Sequence, residues 1–174
     1  MSYKPSKLVE KTWENPPRCL SEFVVNPLRI PLAGTFVIDE LGYFDVACTC
    51  GSKAWHVMGY PYQTNAFLSP LSLQCEKCGR TAPLFDIEKH GYDSECGNGC
   101  YSLKGDGDPK KLNCPSCNGT IFEVFPRFSY QIEPIEEMPP EAQSHIEDFF
   151  DGFGLAVRCS KCGNTESPID YECA

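Results

Sequence analysis

The chain has 174 residues, 41% hydrophobic and 12% aromatic, with 24 acidic against 15 basic side chains and a formal charge of −9. That length allows one large domain or two small ones, and no stretch approaches the roughly 18 apolar residues of a membrane span. The acidity works against phosphate backbones and favours basic partners, while 14 glycines and 15 prolines point to turns and short strands rather than long helices.

Residues 1–47 read as a β-rich leader that packs on the unit over residues 48–88. Phe23-Val24-Val25, Thr35-Phe36-Val37-Ile38 and Tyr43-Phe44-Asp45-Val46 are strand-like runs, separated by Pro27 and Pro31. The opening residues MSYKPSKLVEKTWENPPRC show no apolar core segment and no small-residue cleavage site. A reducing, cytoplasmic setting is therefore expected, and there closely spaced cysteines usually bind metal. The twelve cysteines of the chain acquire their meaning in that context.

Residues 48–88 hold a first quartet, Cys48-Thr-Cys50 and Cys75-Glu-Lys-Cys78. Residues 89–112 are rich in glycine and charge and read as a linker loop. Residues 113–174 hold a second quartet, Cys114-Pro-Ser-Cys117 and Cys159-Ser-Lys-Cys162. Two short cysteine turns brought together by their flanking strands supply four thiolates, the donor set of a closed tetrahedral zinc site. Gly51, Gly79 and Gly163 come directly after the second cysteine of three turns, and Asn118 does so in the other. These are the residues that best tolerate positive φ. Two zinc ions, each with four thiolates, would take the net charge to roughly −13.

The two units align beyond their cysteines. Leu71-Ser-Leu73-Gln-Cys75 matches Leu155-Ala-Val157-Arg-Cys159, and Cys78-Gly-Arg-Thr81 matches Cys162-Gly-Asn-Thr165. Asp86 and Glu88 fall at the offsets of Asp170 and Glu172, and Trp55 and Val57 match Phe122 and Val124. The second copy differs by an insertion, expected to be helical over residues 139–153. Pro139-Pro140 opens it, Ile146, Phe149, Phe150 and Phe153 recur at helical spacing, and Gly152 and Gly154 mark its end. The run from Glu133 to Asp151 is acidic. It reads as the solvated face of a core-packing helix or as a docking surface.

On these motifs the chain resembles the zinc-ribbon superfamily with rubredoxin-like knuckles, over residues 48–88 and 113–172. It is also similar to uncharacterised bacterial zinc-ribbon proteins with a comparable Asp-Tyr-Glu-Cys-Ala tail. The resemblance implies a mainly β fold with one or two helices, built as two tandem pseudo-repeated four-cysteine ribbons. It implies two structural Zn2+ ions, although iron fits the same cage. The Cys48-Thr-Cys50 turn departs from the pattern, having one intervening residue where the usual knuckle has two.

Four cysteines lie outside the quartets. Cys96 and Cys100, with His90 nearby, are candidates for a further site or a disulfide; Cys19 and Cys173 read as free thiols. No nucleophile motif or phosphate-cradling loop is present, and Gly105-Asp-Gly-Asp108 reads as a solvated turn. A non-enzymatic protein-binding module is therefore expected, in the form of an inhibitor or an immunity-type protein for a basic partner such as a bacterial toxin. Glu136, Glu137, Glu147 and Asp148 are the candidate contact residues. The alternatives are a nucleic-acid-binding ribbon, resting on Lys53, Lys77, Arg80, Arg158 and Lys161, and a thiol redox enzyme using its cysteine pairs.

Overall fold

The computed structural model describes residues 5–29, 40–62, 66–90 and 104–173. The chain is mainly β. Three strands of the first unit, β3 (Trp55–Tyr62), β4 (Ala66–Cys75) and β5 (Thr81–Phe85), form an antiparallel meander. Three strands of the second, β7 (Phe122–Ser129), β8 (Gly152–Cys159) and β9 (Thr165–Glu172), repeat it.

The repeat extends to the register. Leu71 faces Phe85 in one unit and Leu155 faces Ile169 in the other. A register shift comes next at the same place in both, after which Gln74 faces Thr81 and Arg158 faces Thr165. Alternating apolar residues set this register, because a slip by one residue would turn each buried side chain to solvent. The equivalent residues Trp55 and Phe122 then pair with each other across β3 and β7. A local twofold relation between the copies therefore passes through that pair.

The faces of the two units share one core. Phe85 of the first stacks on Phe153 of the second with ring centroids 3.9 Å apart, and both are fully buried. Phe128, Phe150 and Tyr171 surround that stack. The Tyr171 hydroxyl donates to the Phe67 carbonyl at 2.6 Å, which gives the buried phenol its partner across the units.

The N-terminal part departs from the β-rich leader expected of it. Helix α1 (Lys7–Glu14) comes first, capped by Ser6, whose Oγ accepts the Val9 N–H at 3.2 Å. Leu8, Val9 and Thr12 form its buried face. A 3-10 turn over Arg18–Leu20 comes next. Strand β1 (Val24–Pro27) pairs with β2 (Leu41–Ala47), which in turn pairs with β7. The Thr35–Ile38 run lies outside the described residues. Within the linker, β6 (Lys110–Lys111) pairs with β3 at Met58 and Gly59, and the helical turn α2 (Ile87–His90) precedes it in the chain.

The expected helix over 139–153 is corrected. The insertion carries a short helix α3 (Ile132–Glu136) and a 3-10 segment over Ala142–Asp148, kinked at His145 with φ −129° and ψ 38°. Phe153 belongs to β8, where it faces Phe128. Ile146 and Phe150 are buried, but Phe149 is 44% exposed, unlike its neighbours in the supposed apolar stripe. Pairing β8 along all of β7 satisfies more backbone groups than one further helical turn would, and tertiary pairing overrode the helical spacing. Gly152 and Gly154 are strand residues rather than helix stops: the Ser129 hydroxyl and the Arg127 side chain lie where their Cβ atoms would be.

Candidate metal centres

Each quartet converges. The Sγ atoms of Cys48, Cys50, Cys75 and Cys78 all lie within 4.8 Å of one another, as do those of Cys114, Cys117, Cys159 and Cys162. Sequence spacing found all eight, and among the described residues no other group could hold a metal. Cys48 and Cys78 are 3.6 Å apart, as are Cys50 and Cys75, Cys114 and Cys162, and Cys117 and Cys159. A disulfide would bring two sulfurs to about 2.0 Å. A tetrahedron with metal–sulfur bonds of about 2.3 Å has edges of about 3.8 Å. The observed spacing is that of four ligands around one ion.

The local backbone explains the convergence. In the three regular turns the N–H of the first cysteine donates to the carbonyl five residues on. These bonds are Cys75 to Arg80 at 2.8 Å, Cys114 to Gly119 at 2.8 Å and Cys159 to Asn164 at 2.9 Å. The residue after the second cysteine donates back to the first: Gly79 to Cys75, Asn118 to Cys114 and Gly163 to Cys159. That residue takes positive φ in each case, at 74°, 56° and 75°.

The short turn Cys48-Thr-Cys50 closes in the same way with one residue fewer. Cys48 donates to Ser52 at 2.8 Å, and Gly51, at φ 86°, donates back to Cys48 at 2.8 Å. Losing one residue shortens both bonded loops by one and keeps the left-handed position directly after the second cysteine. The departure in spacing therefore leaves the cage intact.

Strand register places the third ligand. Cys75 lies opposite Trp55, and Cys159 lies opposite Phe122. Both aromatic residues are buried, so each cage sits on an apolar floor. The Trp55 indole donates to the Val46 carbonyl at 3.1 Å, just before the first ligand. In each cage the first and third ligands, Cys48 and Cys75 or Cys114 and Cys159, are buried. Cys50, Cys78 and Cys162 are exposed.

Within each cage the cysteines oppose the ionisation of one of their number, Cys78 or Cys162. The N–H of Cys50 holds the Cys48 thiol down at about 6. Burial opposes ionisation of Cys159, but the N–H groups of Cys162 and Lys161 outweigh it and bring the thiol to about 7. The N–H of Arg80 also favours a thiolate at Cys78, but its cysteine neighbours push it up to about 11. Cys162 is likewise pushed up to about 12 by its cysteine neighbours, against the N–H of Asn164. A divalent cation supplies the positive charge that lets all four become ligands.

The remaining candidates fall in different places. His56 links the two units: Nδ1 lies 2.8 Å from the Thr120 carbonyl and Nε2 2.5 Å from Glu76. Asp106 accepts the Gly107 N–H at 2.8 Å, in the turn expected there. Glu136 and Glu137 are exposed. Glu147 is largely covered and sits 3.5 Å from His145. Asp148 is held by Arg18, through its backbone N–H at 3.0 Å and its Nε at 2.5 Å. Cys19 and Cys173 are buried, and Cys96 and Cys100 lie outside the described residues. Of the basic residues near the cages, Lys53 pairs with Asp45, Arg80 with Glu22 and Arg158 with Glu123. No helix among the described residues is long and apolar enough to cross a membrane. Comparison with family models, curated proteins and solved structures returned no match for this chain.

Proposed function

We propose that the two cages hold structural zinc, and that the protein is a non-enzymatic, cytoplasmic, duplicated zinc ribbon that binds a basic protein through its acidic insertion. Four sulfur donors in a closed tetrahedron suit zinc, and a cage with no open position serves structure rather than catalysis. Metal binding at such a site supplies folding energy beside that of the shared core.

The observation that carries the partner reading is the asymmetry between the copies. Strands β3 and β4 are joined by residues 63–65, whereas the equivalent β7 and β8 are joined by residues 130–151. That longer connection exposes Glu133, Glu136, Glu137 and Glu141, and it also exposes Phe149, one of three large exposed hydrophobic residues among those described. Exposed carboxylates and an exposed aromatic residue on one connection suit a cationic protein surface. An immunity-type protein that blocks a cationic bacterial toxin is the specific form of this reading. The nucleic-acid alternative draws less support, since three of its five basic residues are paired with acids of the same chain.

The test is capture and identification of the partner from the native host, then affinity measurements on the purified pair. Changing Glu133, Glu136, Glu137 and Glu141 to Gln should weaken binding by about tenfold or more at low salt, and less at high salt. Glu147→Gln should do little. Unchanged affinity in the fourfold variant would remove the insertion as the contact surface.

A further inference from the structure

Away from the cages, a cleft of about 480 Å3 opens where three segments meet. Arg18 and Cys19 come from the N-terminal 3-10 turn, Lys89 and His90 from α2, and Asp148 and Phe150 from the insertion. Its size falls within the range of small-ligand pockets, which often form between structural units.

Three side chains here can donate, and two of them, Arg18 and Lys89, each already pair with one carboxylate of the chain. Asp148 is already engaged by the Arg18 backbone N–H and Nε, which leaves the terminal guanidinium nitrogens of a side chain that is 84% exposed. Lys89 makes only a loose pair with Asp86, at 3.5 Å, and is 75% exposed. His90 accepts the Asp86 N–H on Nδ1 at 2.9 Å. Its neutral ring therefore carries the proton on Nε2, free to donate. Burial keeps that ring neutral near pH 7, assisted by Lys89 and opposed by Asp86 and Asp148. Arg18 and Lys89 are balanced by Asp148 and Asp86, so what the cleft offers a ligand is the outer face of the guanidinium, the exposed ammonium and His90 Nε2. Phe150 supplies an apolar wall. Cys19 is buried and its thiol is pushed up by burial and by Asp148, so it stays neutral and lines the cleft without reacting.

We propose that this cleft binds a small organic oxyanion, a phosphate or carboxylate carried on an apolar group. The oxyanion meets Arg18, Lys89 and His90 Nε2, and the apolar part lies against Phe150. Charge-assisted hydrogen bonds of this kind are the strong ones.

The test is calorimetric titration of the intact, metal-loaded protein with phenyl phosphate and with benzoate, together with 15N shifts of the His90 ring. The expected result is saturable one-to-one binding of at least one probe, with a shift at His90 Nε2; the tighter probe identifies the headgroup. Inorganic phosphate should bind more weakly, because it leaves Phe150 uncovered. Lys89→Gln and His90→Gln should each weaken binding by about tenfold. Lys110→Gln, which removes one exposed charge from β6, should leave it unchanged. Two results would overturn the proposal: no saturation with either probe up to about 10 mM, a Kd too weak for a built site, or equal losses in the Lys89 and Lys110 variants.

Discussion

Replacing Cys114 with Ser removes one ligand from the second cage and leaves three sulfurs that lie within 4.8 Å of one another. Cys114 is 2% exposed, so no water can simply take its place. Structural zinc contributes about 10–16 kcal/mol of apparent binding energy in small domains. That matches or exceeds the whole stability of a typical domain, about 5–15 kcal/mol. The β7–β8–β9 unit should therefore unfold or melt far below the wild type. Because β7 also pairs with β2 and bridges to β3, the loss should spread to the first unit. Native mass spectrometry should count two ions in the wild type and one in Cys114→Ser, and calorimetry should show a large drop in Tm. Two ions in the variant, or an unchanged Tm after chelation of the wild type, would refute the argument that metal holds this fold together.

Three further outcomes rest on single positions. A Cβ at Gly119 would sit 3.2 Å from Cys159 Sγ and 3.3 Å from Cys117 Sγ, so Gly119→Ala should weaken the second site selectively, seen as earlier metal release to a chromogenic chelator. Phe153→Ala would leave a hole beside Phe85, with which it stacks at 3.9 Å; it should cost about 3–5 kcal/mol in denaturant melts while both ions stay bound. Burial raises the Cys19 thiol above its ordinary value of 9.0 and the Tyr171 phenol above its ordinary 10.0. In the folded state these groups keep protons that the unfolded chain releases, so stability is full below about pH 9 and falls as pH rises. The slope approaches about 1.4 kcal/mol per pH unit for each group. Chemical denaturation from pH 8 upward should show that fall, and Cys19→Ala should remove the part that starts lowest.

The cages were legible because their chemistry is local. Four short turns announce themselves by paired cysteines and by a glycine or asparagine at the left-handed position. The duplication was legible for a related reason, since the apolar alternation of Leu71 and Leu73 against Leu155 and Val157 carries the strand register with it. Helix α1 was not legible: it spans only Lys7–Glu14, too short for a clear period, and its stability rests on burying Leu8, Val9 and Thr12. Phe153 was misplaced because its spacing from Ile146 and Phe150 fits a helix, while its partners Phe85 and Phe128 come from distant strands.

Taken alone, the sequence determined the two cysteine quartets, the repeat and the mainly β character, all of which depend on residues a few positions apart. The tertiary structure decided how the copies meet, with Trp55 against Phe122 and Phe85 on Phe153. It also decided that the shortened Cys48-Thr-Cys50 turn closes as the others do. Arg18 and Asp148 are 130 positions apart in the chain, yet their pairing takes Asp148 out of the candidate contact surface and makes it a wall of the cleft. The physical reason is range: a turn is set by the dihedral angles of its own residues, whereas an ion pair or a stacked ring depends on where the whole chain has gone.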